Sequence, residues 1–145
     1  MEYCQQACHP YLVKDTELLE KIQRRATKLV HSIKDLSYAE RLKKLGLFSL
    51  AQRRERGDLI MVYKIVHGHV NLDVNKLLQF SDYKGTRGHQ YKLKLTKTSR
   101  TEIGRNGFTQ RTVLPWNALP NHIISSKSVE EFKREYDKYI LKTSI

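Results

Sequence analysis

Apolar positions recur along this chain with two different periods. From Asp15 to about His31, Leu18, Leu19, Ile22, Ala26, Leu29 and Val30 return at three- and four-residue spacings. That pattern predicts an amphipathic helix capped by Asp15 with those residues turned inward. Glu17 with Lys21 and Glu20 with Arg24 stand four apart in the favourable orientation. Ser37 and Glu40 have the spacing of a capping box and open a short second helix, which Gly46 stops so that Leu47 can pack back on Leu42. Ser49 and Gln52 repeat the box and open a third helix through Tyr63 to about His67, with Gly68 as its stop. Three helices joined by short loops form a helical layer over residues 1–68.

The middle is less regular. Asp73 can start a single turn ending near Leu78, and a helix could run from about Arg105 towards Trp116, weakened by Gly107 and Pro115. Pro120 blocks continuation and pushes Leu119 towards extended geometry. Tyr91-Lys92-Leu93-Lys94-Leu95 alternates strictly, which predicts a strand with Tyr91, Leu93 and Leu95 inward. Ser128 and Glu131 form a third capping box, followed by Val129, Phe132, Tyr136 and Tyr139 or Ile140 at helical spacing. The expected fold is a mainly α single domain of about five helices with a small β element. It comprises a helical layer (1–68), a basic mixed segment with a short strand (69–127) and a C-terminal helix (128–145).

At 145 residues and 17.1 kDa the chain can bury a core without a disulfide or metal staple. Its longest apolar run, Leu59 to Tyr63, is far below the ~20 residues of a membrane span. No charged-then-apolar leader opens it, so neither secretion nor a membrane partner is expected. Cys4 and Cys8 have no distant partner and read as small buried hydrophobes in a reducing, intracellular compartment.

Charge changes the picture most. Twenty-seven Lys and Arg against fifteen Asp and Glu leave +12, the electrostatic footprint of a nucleic-acid binder. Residues 1–68 hold 13 basic and 8 acidic residues, 69–127 hold 10 and 3, and 128–145 hold 4 and 4, so the excess peaks in the middle. On the first helix Lys21, Arg24, Arg25 and Lys28 cluster opposite the apolar face; Arg53, Arg54 and Arg56 crowd the start of the third. Between Lys84 and Arg111 the basic residues come interleaved with His89, Tyr91 and Phe108. Phosphate neutralisation with aromatic stacking is how single strands are held without sequence preference, although those aromatics also suit a local core.

Catalytic patterns are missing. Two-metal enzymes need carboxylates clustered around ions ~3.5–4 Å apart. The aspartates here are isolated from one another, and the adjacent pair Glu130-Glu131 suits a helix N-terminus. Cys4, Cys8 and His9 lack the second ligand pair of a zinc site, and no phosphate loop, nucleophile elbow or triad pattern appears. Arg56-Gly57-Asp58 spells an integrin-recognition tripeptide, but inside a predicted helix. The expectation is a non-enzyme with no cofactor and no metal.

An ordered set of motifs then narrows the reading. Glu2-Tyr3-Cys4, Pro10-Tyr11, Gln23 to Lys28, Leu36-Ser37-Tyr38, Glu40-Arg41-Leu42, Leu45-Gly46-Leu47, Arg53-Arg54 and Arg56 to Leu59 follow one another. Thr86-Arg87-Gly88-His89, then Phe108, Arg111, Trp116-Asn117 and Leu119-Pro120 continue the series. Together they resemble the C-terminal region of the endonuclease–reverse transcriptase encoded by non-LTR retrotransposons of the Jockey and chicken-repeat type, over nearly the whole chain. The resemblance implies a piece downstream of the polymerase aspartates of a mobile-element RNA-directed DNA polymerase. It also implies a nuclear or cytoplasmic setting, and a tail that helps hold RNA template or target DNA. This sequence departs from the family pattern at Gln6, Cys8, Gly107 and Pro115, where the family has proline, tryptophan, a second aromatic and a polar residue.

The expected contacts with an RNA or DNA backbone are Lys21, Arg24, Arg25 and Lys28, with Arg87, Lys92, Lys94, Arg100, Arg105 and Arg111 in the middle. Trp116, Asn117, Leu119 and Pro120 form a structural motif, Trp116 and Leu119 anchoring the basic segment to the helices. Two alternatives stand beside this. One is a module that docks on a reverse transcriptase domain, with its apolar patch in the Glu2-to-Leu12 segment. The other is a decayed element copy with no function of its own.

Overall fold

The computed structural model describes residues 5–7, 9–82, 89–95 and 101–143 and is mainly helical. The chain divides into two compact units, Met1–Glu55 and Arg56–Ile145. The division falls inside the third helix, so the layer expected over 1–68 does not stand as one body. From Asp58 onward that helix contributes Leu59, Val62, Tyr63 and Ile65 to the core of the second unit.

In the first unit, α1 spans Val13–Lys28, a 3-10 turn spans His31–Ile33, α2 spans Tyr38–Leu45, and α3 begins at Leu50 on its way to Val66. Helix α1 starts two residues before Asp15. Leu12 is its cap, without a side-chain hydrogen bond, and Asp15 sits in the first turn, where its charge favours the helix dipole. Both capping boxes form as the spacing predicts. Glu40 N–H donates to Ser37 Oγ while Ser37 N–H donates to Glu40 Oε2. Gln52 N–H donates to Ser49 Oγ while Ser49 N–H donates to Gln52 Oε1. Gly46 closes α2 at φ 63°, a left-handed value that suits glycine, and Leu47 N–H returns to the Leu42 carbonyl.

The rotation of α1 differs from the expectation. Leu18, Ile22 and Leu29 lie within about 40° of one another around the helix axis, and all three are exposed, Leu29 by 79%. The buried positions are Gln23 and Thr27, about 100° or more further round. Hydrogen bonding explains the shift: Gln23 Nε2 donates to the Phe48 carbonyl at 2.9 Å, and Thr27 Oγ1 accepts from Arg41 Nε at 3.1 Å. Turning the leucines inward would strand both partners, which costs more than the apolar burial returns.

The second unit holds the rest of α3, then α4 (Val74–Leu77), α5 (Glu102–Arg105), α6 (Phe108–Arg111), α7 (Val113–Ala118), α8 (Asn121–Ile124) and α9 (Val129–Thr143). Gly68 ends α3 at φ 70°. The helix expected from Arg105 towards Trp116 is broken into α5, α6 and the start of α7, with extended Gly107 as one joint. A side chain at Gly107 would bring its Cβ to 3.1 Å from the Gly104 carbonyl, so the small residue fits the turn. Pro115 falls in the first turn of α7, where its missing N–H is tolerated. Leu119 is extended, as the following Pro120 requires.

The expected strand does not form among the described residues. Phe80 and Leu93 make a single antiparallel bridge, Leu93 is buried, and Leu95 faces solvent instead of the core. Asn117 replaces a second strand: its Oδ1 accepts from Leu93 N–H and its Nδ2 donates to the Leu93 carbonyl, both at 2.8 Å. With one amide satisfying both backbone groups, no further ladder is needed. Trp116, fully buried, donates Nε1–H to the Tyr91 carbonyl at 2.8 Å and packs near Phe132 and His89. Phe132 and Tyr136 complete this core from α9.

Candidate nucleic-acid interface

Within the first unit, α1 and α2 enclose a groove of about 390 Å³ lined by Lys21, Arg24, Arg25, Lys28, Tyr38 and Arg41. The four α1 cations fall within about 100° of arc and span two turns, about 10 Å. They are exposed, whereas Arg41 on α2 is 4% exposed. The capping box at Ser37 sets this geometry, because it makes Tyr38 the first residue of α2 and places Arg41 one turn on.

Tyr38 organises the groove. The Arg24 guanidinium lies 5.0 Å from its ring centroid and that of Arg41 5.8 Å, cation–π distances in both cases. Its hydroxyl donates to Glu20, whose other oxygen accepts from Leu50 N–H at 3.1 Å. Burial and the Glu20 carboxylate push the Tyr38 hydroxyl well above the usual tyrosine range, so it stays neutral. Glu20 is therefore committed to Tyr38 and to the start of α3 rather than to Arg24, against the expected i,i+4 pair. Among the described residues no carboxylate pairs with Lys21, Arg24, Arg25 or Lys28, and the acceptors of Arg41 are Thr27 Oγ1 and the Leu36 carbonyl.

The basic residues of the middle segment have other surroundings. Arg111 grips Asp58 with two donors, at 2.7 and 3.2 Å, and also donates to the Asn106 carbonyl. Its side chain is 15% exposed and that of Asp58 4%, so this is an internal ion pair rather than a surface contact. Lys94 stands 3.8 Å from Asp82, Lys92 is half-buried, and Arg105 is exposed at the end of α5. Arg87 and Arg100 lie outside the described residues, as do Cys4 and Cys8. The interleaved aromatics face the interior: His89 is buried with Nε2 at 3.2 Å from the Trp116 carbonyl, Tyr91 lies 5.0 Å from His67, and Phe108 packs on the core. Arg56 and Asp137 form a further bidentate pair, at 2.6 and 2.9 Å, so both charged ends of the Arg-Gly-Asp tripeptide are engaged inside the unit.

Sequence reasoning placed the four α1 cations and missed Tyr38 and Arg41. Both stand in motifs that carry the family resemblance, which was the signal available for them. Among the described residues no group of three or more His, Cys, Asp or Glu could hold a metal ion, and no helix is long and apolar enough to cross a membrane. Comparison with protein-family models, with curated proteins and with solved structures gives no match.

Proposed function

We propose that this chain is a non-catalytic, nucleic-acid-associated piece of a retrotransposon reverse transcriptase, and that the α1–α2 groove holds the sugar–phosphate backbone of RNA or DNA with low sequence specificity. The observation that carries this is the convergence of five cations around Tyr38 with their nearest carboxylate, Glu20, already engaged. Phosphate contacts of this kind position a strand without reading its sequence. The motif series from Glu2 to Lys138 supports the parent family. Support for a non-catalytic role comes from carboxylates spent on structure: Asp58 and Asp137 in ion pairs, Asp73 as the cap of α4 and Glu131 as that of α9.

The test is fluorescence anisotropy with single-stranded RNA and duplex DNA across a salt series. Two turns of α1 face about three phosphates of one strand, so the expected log–log slope is about −2 on RNA and about −2.7 on duplex. Negligible binding near ~0.15 M salt leaves the +12 as surface charge and removes the reading.

A second reading, docking on a polymerase domain, is favoured by the exposed stripe of Leu18, Ile22 and Leu29. The Glu2-to-Leu12 segment gives it less support, because Gln5 is buried and donates to the Arg54 carbonyl at 3.1 Å. Association with a reverse transcriptase domain that Leu18→Ser with Ile22→Ser abolishes would establish docking. Association unaffected by that double variant would exclude this face.

A further inference from the structure

We infer that the α1–α2 groove is a seat for a terminal phosphate, the phosphomonoester at the end of a nucleic-acid strand, with Arg41 as its floor. This rests on the nucleic-acid reading above and sharpens it. A guanidinium that is 96% withdrawn from solvent normally meets a carboxylate, because burying an unpaired charge is costly. Arg41 meets a hydroxyl, a carbonyl and the face of a tyrosine, all neutral. It lines a cavity whose other charged walls are Lys21, Arg24, Arg25 and Lys28, so the missing counter-charge has to come from an anion entering between them.

The depth of Arg41 selects the kind of anion. An internal phosphodiester carries one charge and is flanked by sugars on both sides, which hold it at the level of the exposed α1 cations. A terminal phosphate carries up to two charges and three free oxygens, and only its tip need enter the groove. Planar guanidinium groups match that geometry with paired donors. Arg54, also buried, lines neither this groove nor the apolar one beside it and has no such access.

The experiment compares one short oligouridylate carrying a phosphate at its 5′ end, at its 3′ end or at neither, by anisotropy against the full chain. One phosphorylated form is expected to bind about tenfold tighter than the unphosphorylated strand, the size of a hydrogen bond to a charged group. Inorganic phosphate, exchanged for chloride at constant ionic strength, should displace that form and leave the unphosphorylated strand in place. Arg41→Met should erase the preference while keeping the salt-dependent binding. Because Arg41 also bonds Thr27 and Leu36, Arg41→Met is checked by thermal unfolding, and the phosphate competition uses the unaltered chain. Equal binding of the three strands, or a preference that survives in folded Arg41→Met, overturns the seat while the backbone reading stands. If no strand binds but phosphate raises the melting temperature of the unaltered chain and not of Arg41→Met, the seat stands and the nucleic-acid reading falls.

Discussion

Arg24 and Arg111 look alike in the sequence: each sits on a short basic run and each lies over an aromatic ring, Tyr38 at 5.0 Å and Phe108 at 5.8 Å. Their surroundings separate them. Arg111 has Asp58 within 2.7 Å and is consumed in holding α6 against α3. The carboxylate near Arg24 is taken by Tyr38 and Leu50, so Arg24 and its neighbours keep their charge facing a groove. An arginine's role here is set less by its own helix than by whether a carboxylate shares its space.

The comparison breaks most visibly at the ion pair. Asp58→Ala leaves Arg111 buried without its partner and is expected to cost about 3–5 kcal/mol in urea unfolding, whereas Asp58→Leu with Arg111→Met should recover most of that. A loss under about 1 kcal/mol for Asp58→Ala would mean Arg111 is not committed to the interior. Asn117→Leu removes both partners of the buried Leu93 amide and should cost about 1–3 kcal/mol, measured the same way.

Reversing Arg24 and Arg25 to glutamate tests the other side. Stability should change by about 0.5 kcal/mol or less, because neither residue is packed. RNA affinity should fall by a similar factor on every sequence, with the salt slope shallower by about 1.4. A loss confined to one sequence would mean base contacts instead.

Acid distinguishes the units by histidine. Burial holds His67 and His89 below the ordinary histidine value of 6.5, with His69 beside one and Lys92 beside the other acting the same way. Their unfolded forms bind more protons, so the stability they contribute is full above pH 6.5 and declines as pH falls below it. Chemical unfolding followed through Trp116 fluorescence should show that decline between pH 7 and 5; a midpoint that stays flat would place both histidines in water. Leu29→Ser is the smallest expected effect, within about 0.5 kcal/mol, because Leu29 is exposed. A cost of about 2–5 kcal/mol would instead restore the inward-facing α1 of the periodicity argument.

Local chemistry was legible in the residues. The boxes at Ser37–Glu40 and Ser49–Gln52, the glycine stops at 46 and 68, and the extension at Leu119 depend on neighbours within a few positions, and all appear in the structure. The four cations of the groove were also legible, since one helix carries them. The strand was not, because its backbone partner is the side chain of Asn117, 24 residues away.

The sequence by itself determined a mainly helical, strongly basic chain and where its principal helices start and stop, because caps, stops and charge are properties of short segments. Only the tertiary structure decided which way α1 turns, that the break falls inside α3, and which arginines keep their charge free. Those outcomes depend on Gln23 finding the Phe48 carbonyl, Thr27 finding Arg41 and Asp58 finding Arg111, partners 14 to 53 residues apart whose meeting no local pattern encodes.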